Sequence, residues 1–156
     1  MREPPNGLSL WEGLESMTAE HLGLAAYALL EALLQSSGSS PGTAPIINVF
    51  PAWPATWNAR YSLLARGGFV VTAGFEDGEK KYVDVESNLG NVCRVHNPWP
   101  RPVRVYRNGT AAESVEGSFF ELATVPGEVL TLLPESATFT EFAAPEIPSG
   151  RPDGLW

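Results

Sequence analysis

The chain has 156 residues, of which 44% are hydrophobic, and this supports one domain with a buried core and argues against disorder. The formal net charge is −8, with 10 basic and 18 acidic residues. Such sparse cations argue against a nucleic-acid or anionic-membrane partner, whereas a neutral partner such as a carbohydrate stays compatible with the composition.

Three segments are predicted along the chain. Residues 1–42 form an N-terminal segment that contains a helix, residues 43–145 form a β-sandwich, and residues 146–156 form an extended tail rich in proline and glycine. The first seven residues carry no apolar run after Arg2, so they do not form a signal peptide. If a larger parent protein is exported, we expect its signal to lie upstream.

One helix is predicted over residues 18–35, capped by Thr18 and ended by the Ser-Gly-Pro-rich residues 37–42. The apolar residues of this helix leave no broad polar face. A helix that is apolar on every side is normally buried on every side, and one small sandwich can cover only one side of it. We therefore expect its other neighbours to be helices of a further domain. Glu31 interrupts the apolar run, so no membrane span is predicted. The apolar residues are Leu22, Leu24, Ala25, Ala26, Tyr27, Leu29, Leu30, Leu33 and Leu34.

Beyond Pro41 the hydrophobic pattern changes to a period of two, which is typical of strands. Asp77-Gly78 and Asn108-Gly109 are predicted hairpin turns. Eight or nine strands at this spacing favour a mainly β fold, an antiparallel two-sheet β-sandwich preceded by one apolar helix. The predicted strands are residues 46–50, 60–65, 69–75, 81–87, 92–96, 103–107, 118–123, 128–133 and 138–142.

Few residues of this sequence are candidates for catalysis or metal binding. His21 and His96 are the only histidines, and no spacing joins them to a carboxylate pair or to Cys93, so neither a metal site nor a cofactor is predicted. Cys93 alternates inward with Val95 and is interpreted as a small core residue. Glu20 stands at the entrance of the apolar helix, where it is either an ordinary first-turn glutamate or, if buried, a working acid or base.

Aromatic residues suggest two kinds of surface. Trp53, Trp57 and Trp99 lie in proline-rich loops, where a tryptophan either stacks on a sugar ring or packs a domain interface. The interface is favoured because residues 51–54 closely follow the helix. Tyr82 and Tyr106 are candidates for an exposed aromatic row, which a free-standing carbohydrate-binding module requires.

An ordered series of motifs resembles the C-terminal end of glycoside hydrolase family 95, the inverting α-L-fucosidase family that also has α-L-galactosidase members. The most specific matches are ARGGF at residues 65–69 and G-x-x-CR-V at residues 90–95, and further matches occur at residues 31–36, 46–50 and 51–54. The resemblance covers residues 18–134. It implies that the helix is the last helix of an (α/α)6 barrel, missing here, which leads through a loop into the sandwich.

The resemblance also implies site residues. Glu20 occupies the position of the family's general base, and Glu20-His21-Leu22-Gly23 stands where the family has an Asp-Gly-Asn-Phe-Gly segment. His21, Trp53 and Trp57 are the expected substrate-binding residues. The family's general acid lies upstream, and an inverting enzyme needs two carboxyl groups. We therefore expect this chain alone not to be catalytic.

Three hypotheses follow. The first is a structural C-terminal domain of a family-95-like glycosidase, which meets its carbohydrate through the parent's catalytic domain and whose parent we expect to be secreted or periplasmic. The second is a free-standing carbohydrate-binding module. The third is a chain that binds a protein partner, or a second copy of itself, through the apolar helix.

Overall fold

The computed structural model describes residues 19–38, 42–137 and 139. These residues form one helix, α1 (Ala19–Leu33), and ten strands. The strands are β1 (Leu34–Ser37), β2 (Ile46–Val49), β3 (Ala59–Ala65), β4 (Phe69–Glu76), β5 (Glu79–Ser87), β6 (Cys93–His96), β7 (Val103–Arg107), β8 (Thr110–Val115), β9 (Phe119–Leu122) and β10 (Glu128–Pro134).

The strands form two sheets, which confirms the predicted mainly β, antiparallel sandwich. The smaller sheet has the order β1-β2-β6-β9, and the larger has the order β3-β4-β5-β10-β7-β8. Neighbouring strands run antiparallel in both sheets, except for the parallel pair β2 and β6, in which Ile47 faces Val95. That parallel pair joins distant parts of the chain and decides which residues meet on the smaller sheet.

The main core lies between the two sheets. Alternate residues of the strands point into it, as the period-two pattern predicts. Cys93 and Val95 are both fully buried, so the interpretation of Cys93 as a small core residue is confirmed. The other fully buried side chains of this core are Ile47, Val49, Val71, Ala73, Val83, Val85, Val103, Val105, Leu130 and Leu132.

Both predicted hairpin turns are present. Asp77 and Gly78 have φ values of 54° and 78°, and Asn108 and Gly109 have values of 48° and 80°. Glycine adopts positive φ without steric cost, and Asp and Asn tolerate it better than most residues. These dipeptides therefore reverse the chain between β4 and β5 and between β7 and β8.

Two element predictions are wrong. The helix ends at Leu33 and not at Gln35, because residues 34–37 pair with β2 in the register Leu34↔Val49 to Ser37↔Ile46. Strand β8 was not predicted, because five of its six residues are exposed and its sequence shows no alternation. Thr18, residues 39–41, the predicted strand at residues 138–142 apart from Phe139, and the tail at residues 146–156 lie outside the described residues.

The sandwich covers only the C-terminal end of α1. Leu33 packs against the core, whereas Leu24, Tyr27, Leu29 and Leu30 are 47–65% exposed. Burial of the helix on every side is therefore not achieved by the described residues. Its predicted helical neighbours in a further domain remain a prediction.

Candidate functional site

The junction of α1 and β1 with the rest of the sandwich is held by two hydrogen bonds from backbone N–H groups. The N–H of Phe50 donates a 2.7 Å hydrogen bond to the carbonyl oxygen of Leu33. The N–H of Arg66 donates a 3.0 Å hydrogen bond to the Ser36 hydroxyl in β1. Since helix α1 passes into β1 without a loop, these bonds fix the end of the helix against the smaller sheet and the turn between β3 and β4.

A groove of about 320 Å³ lies at this junction. Leu64, 80% exposed, contributes an apolar rim from β3. On the helix side, a hydrogen bond to Glu31 and the Glu31 charge raise the pKa of Tyr27, while the Arg66 charge opposes this. The lining is Tyr27, Leu30, Glu31, Leu34, Ser36, Ser37, Leu63, Leu64 and Arg66. We call this groove, together with the neighbouring Leu24 of α1, the junction surface. Its chemistry is suited to packing against another surface.

Glu20 and His21 belong to the first turn of α1, at the end far from the sandwich. The structure describes the backbone of these two residues but not their side chains. The helix rises 1.5 Å per residue, so Glu20 stands about 20 Å along the helix from Leu33. The predicted base therefore lies at the opposite end of α1 from the tryptophan loop, which begins beside the Leu33–Phe50 bond.

The tryptophan loop places its two rings differently. Trp53 is partly buried, packs on the core, and donates a 2.9 Å hydrogen bond from Nε1 to the carbonyl oxygen of Trp57. The two indole rings meet edge to face at 5.8 Å, and the Trp53 ring lies 6.2 Å from that of Phe50. Trp57 is 55% exposed. Trp53 thus serves packing, whereas the Trp57 ring is free to contact a ligand or a neighbouring domain.

The remaining aromatic candidates are buried. Trp99 is 5% exposed and donates a 2.7 Å hydrogen bond from Nε1 to the Lys80 carbonyl oxygen, so its prediction as a stacking or domain-interface residue is wrong. Tyr82 and Tyr106 form a second hydrophobic cluster with Leu133, and Phe139 packs over it. They do not form the exposed aromatic row that a free-standing carbohydrate-binding module requires.

The motifs that carry the family resemblance are structural. Gly67 and Gly68 in ARGGF have φ values of 93° and 79°, which disfavour other residues. The Asn91 side chain donates a 3.0 Å hydrogen bond to the Gly67 carbonyl oxygen. Gly90 has a φ of 71°, and a Cβ there would lie 2.6 Å from the Pro126 ring. These residues tie the loop before β6 to the turn between β3 and β4.

Two hydroxyl groups add further hydrogen bonds to the loop before β6. The Ser87 and Thr124 hydroxyls lie 2.6 Å apart, Gly90 N–H donates to Ser87 at 3.1 Å, and Thr124 donates to the Asn91 carbonyl oxygen at 2.6 Å. These hydrogen bonds join the loop before β6 to the loop before β10 and shape this end of the sandwich.

Two buried titratable groups among the described residues have raised pKa values. Burial raises the pKa of the Cys93 thiol to about 12, so at neutral pH it is neither a nucleophile nor a metal ligand. Burial also raises the pKa of Asp84, while a hydrogen bond from Thr131 opposes the shift. Within the described ranges, no three His, Cys, Asp or Glu side chains group as metal ligands. At 15 residues, the described helix falls short of the length and apolar character that a membrane span needs.

The fold and the junction surface define the class of protein: a β-sandwich domain preceded by a helix with an exposed apolar face. Residues 42–132 match the family model described as glycoside hydrolase family 95, C-terminal domain. The chain belongs to this family, and it is an accessory domain of a glycoside hydrolase. No curated protein matches the chain.

Proposed function

We propose that this chain is the structural C-terminal part of a glycoside hydrolase that resembles the inverting α-L-fucosidases, and that it is inactive alone. The observation that carries the proposal is the exposed apolar face of α1 that Leu24, Tyr27 and Leu30 form at intervals of three residues. Leu29 is also exposed but lies on the other side of the helix. Contiguous exposed apolar patches mark interaction sites in soluble proteins. The occupant we propose is the helical catalytic domain of the parent enzyme, because helices pack on helices through such faces.

The junction surface orients this contact. Its groove is lined by apolar side chains, among them Leu30 and Leu63, and by the charged side chains of Glu31 and Arg66. An arriving helix would bury the apolar side chains and would have to match the two charges, which limits how it can dock. The bonds from Phe50 and Arg66 to the end of α1 and to β1 hold the groove in shape before docking.

Glu20 is the proposed general base, and His21 beside it is a proposed substrate-binding residue. Trp53 and Trp57, at the other end of α1, are proposed to bind a more distant part of the substrate. The exposed Trp57 ring is the better placed of the two tryptophans for contact, since the Trp53 ring already packs on the core. An inverting glycosidase places one carboxyl group on each face of the sugar. Glu20 supplies one of them, and the parent's catalytic domain supplies the acid. Inactivity of the isolated chain follows.

The first experiment compares the isolated chain with the parent enzyme on 4-nitrophenyl α-L-fucopyranoside. We expect release of nitrophenol only from the parent. In the parent, Glu20→Gln should lower kcat roughly 10²–10⁴-fold, the range for loss of a general base. Glu20→Asp, which restores the family's residue type, should keep most activity, and Glu86→Gln, an exposed carboxylate on the larger sheet, serves as the control. Near-wild-type kcat in Glu20→Gln removes Glu20 from the mechanism.

A second experiment tests docking. Leu24→Glu places a charge on the exposed face of α1, and Val125→Glu places one at a similarly exposed apolar residue in the loop before β10 (65% and 61% exposed). We expect Leu24→Glu, but not Val125→Glu, to lower the thermal stability and activity of the parent enzyme. Sedimentation of the isolated chain tests the third hypothesis: a dimer that Leu24→Glu dissociates would identify a second copy as the occupant.

A further inference from the structure

The outer face of the smaller sheet carries a group of aligned polar side chains. The inward residues Ile47 and Val95 are neighbours across the parallel pair β2 and β6, so the residues on either side of them point outward. Antiparallel pairing sets Arg94 against Glu121 and His96 against Phe119. We call this group the outer polar face; its members are Gln35, Asn48, Arg94, His96, Phe119 and Glu121.

Two hollows meet on this face. A groove of about 680 Å³ begins at Asn48 and His96 and continues along the loop before β7 towards Arg101 and Glu116. A smaller hollow of about 200 Å³ begins at the same two residues and continues towards Gln35 and β1. The larger hollow falls within the roughly 300–1,000 Å³ typical of small-molecule sites. Asn48 and His96 thus stand where an extended ligand would cross from one hollow to the other.

The wall of the larger groove is preformed. The Asn97 amide nitrogen donates hydrogen bonds to the carbonyl oxygens of Arg101 at 3.1 Å and Gly117 at 2.7 Å. Its side-chain oxygen accepts a 3.0 Å hydrogen bond from the Trp99 N–H, and the buried Trp99 ring anchors the loop. A wall that is already ordered loses little conformational entropy on binding.

The side chains of the outer polar face indicate which class of ligand it would bind. The amide of Asn48 and the imidazole of His96 each offer both a donor and an acceptor, which suits hydroxyl groups. Phe119 is 39% exposed and meets the His96 ring edge to face at 6.2 Å, so an apolar ring surface lies beside these polar groups. Arg94 is paired with Glu121 at 2.6 Å, and Arg101 and Glu116 also carry opposite charges. The balanced charges favour a neutral ligand.

We propose that the outer polar face binds a neutral oligosaccharide across Asn48 and His96, with one sugar ring against Phe119. This goes beyond the proposed function, because the site is complete within this chain and needs neither the upstream domain nor Glu20. Loss of hydrolysis in the parent therefore leaves it untouched, and its own failure leaves the docking of α1 untouched.

The test uses the isolated chain and two-dimensional amide NMR. The probes are 2′-fucosyllactose and lactose as neutral sugars and 3′-sialyllactose as an anionic one. We expect saturable shifts of Asn48, His96 and Phe119 with a neutral probe and weaker binding of the sialylated probe. Asn48→Ala, His96→Ala and Phe119→Ala should each weaken binding at least about tenfold. Glu86→Gln, exposed on the larger sheet, should bind as the wild type does.

The amide spectrum of each variant shows whether the sandwich is intact, so a misfolded variant is recognised and replaced by His96→Gln or Phe119→Leu. The proposal is overturned if neither neutral probe binds, if shifts fall on the Trp57 loop instead, or if folded Asn48 and His96 variants keep wild-type affinity. Tighter binding of 3′-sialyllactose than of the neutral probes would overturn the assignment of ligand class.

Discussion

The N–H of Phe50 donates a 2.7 Å hydrogen bond to the carbonyl oxygen of Leu33, the last residue of α1. A helix leaves its final carbonyl groups without intrahelical partners, and this bond satisfies one of them from the end of β2. Phe50 has a φ of 51°, and its ring lies 5.1 Å from Tyr61 and 5.2 Å from Phe75 in the core. The direction in which α1 leaves the sandwich is therefore set by a buried aromatic cluster.

Phe50→Ala should lower the free energy of unfolding by roughly 3–5 kcal/mol, because it leaves a cavity beside Tyr61 and Phe75. The measurement is urea denaturation followed by tryptophan fluorescence. Val125→Ala removes apolar atoms from an exposed loop residue and should change the value by no more than about 0.5 kcal/mol. A loss of less than about 1 kcal/mol in Phe50→Ala would contradict its central place in the junction.

The stability losses of the variants Trp53→Ala and Trp57→Ala should show which ring packs on the core and which lies at the surface. Trp53 is partly buried against the core, so its loss should cost roughly 2 kcal/mol, less than for a fully buried ring. Trp57 is 55% exposed and contributes mainly its edge-to-face contact with Trp53, about 0.5–1.5 kcal/mol. Thermal unfolding of both variants measures the order. A larger loss in Trp57→Ala than in Trp53→Ala would reverse the two assignments.

Tyr61→Phe tests a buried hydroxyl that has no hydrogen-bond partner among the described residues. Because such a group carries an uncompensated desolvation cost, the variant should be as stable as the wild type or up to about 2 kcal/mol more stable at pH 7. Burial raises the pKa of Tyr61 above its ordinary value near 10. A loss of more than about 1 kcal/mol at pH 7 would mean that the hydroxyl has a partner.

The same variant has a distinct pH dependence. Above about pH 10 the unfolded state releases the Tyr61 proton while the folded state retains it, so the wild type loses stability as the pH rises. Tyr61→Phe lacks this contribution. The difference in unfolding free energy between the two proteins should therefore grow in favour of the variant between pH 7 and about pH 11. A constant difference would contradict the raised pKa.

Glu128→Gln probes a buried carboxylate. Burial alone would raise the pKa of Glu128, but hydrogen bonds from Arg107 and the Val125 N–H outweigh it and hold the pKa below its ordinary value. The stabilisation is present above the unfolded-state pKa, near 4.5, and is lost as the pH falls through the folded-state pKa. The variant should lose about 1.5–3 kcal/mol at pH 7, and the loss should be smaller at pH 3, below the unfolded-state pKa.

Glu121→Gln is the matched control, since Glu121 pairs with Arg94 at 2.6 Å but is about half exposed. An exposed ion pair contributes at most about 1 kcal/mol, so this variant should lose little at pH 7. Urea denaturation at both pH values measures the comparison. Equal losses in the two variants would contradict the special burial of the pair between Arg107 and Glu128.

Local sequence determined much of the fold. The alternation of apolar residues predicts strands β2 to β7. Successive side chains of a strand point to opposite faces, so apolar residues at every second position indicate the face that meets the core. Asp77-Gly78 and Asn108-Gly109 predict their turns because few residues adopt positive φ. The glycines of the ARGGF and G-x-x-CR-V motifs are under the same constraint, since Gly67, Gly68 and Gly90 also have positive φ.

Pairing between strands that are far apart in the chain decided features that the local sequence pattern does not predict. Residues 34–37 leave the helical pattern because β2 supplies their hydrogen bonds, and exposed β8 forms because it pairs with β7. Trp99 is buried because its indole reaches the Lys80 carbonyl oxygen, 19 residues away. Asn48 and His96 meet only through the parallel pairing of β2 and β6. Periodicity tells which face of a strand is buried, but the choice of neighbouring strands depends on contacts between residues far apart in the chain.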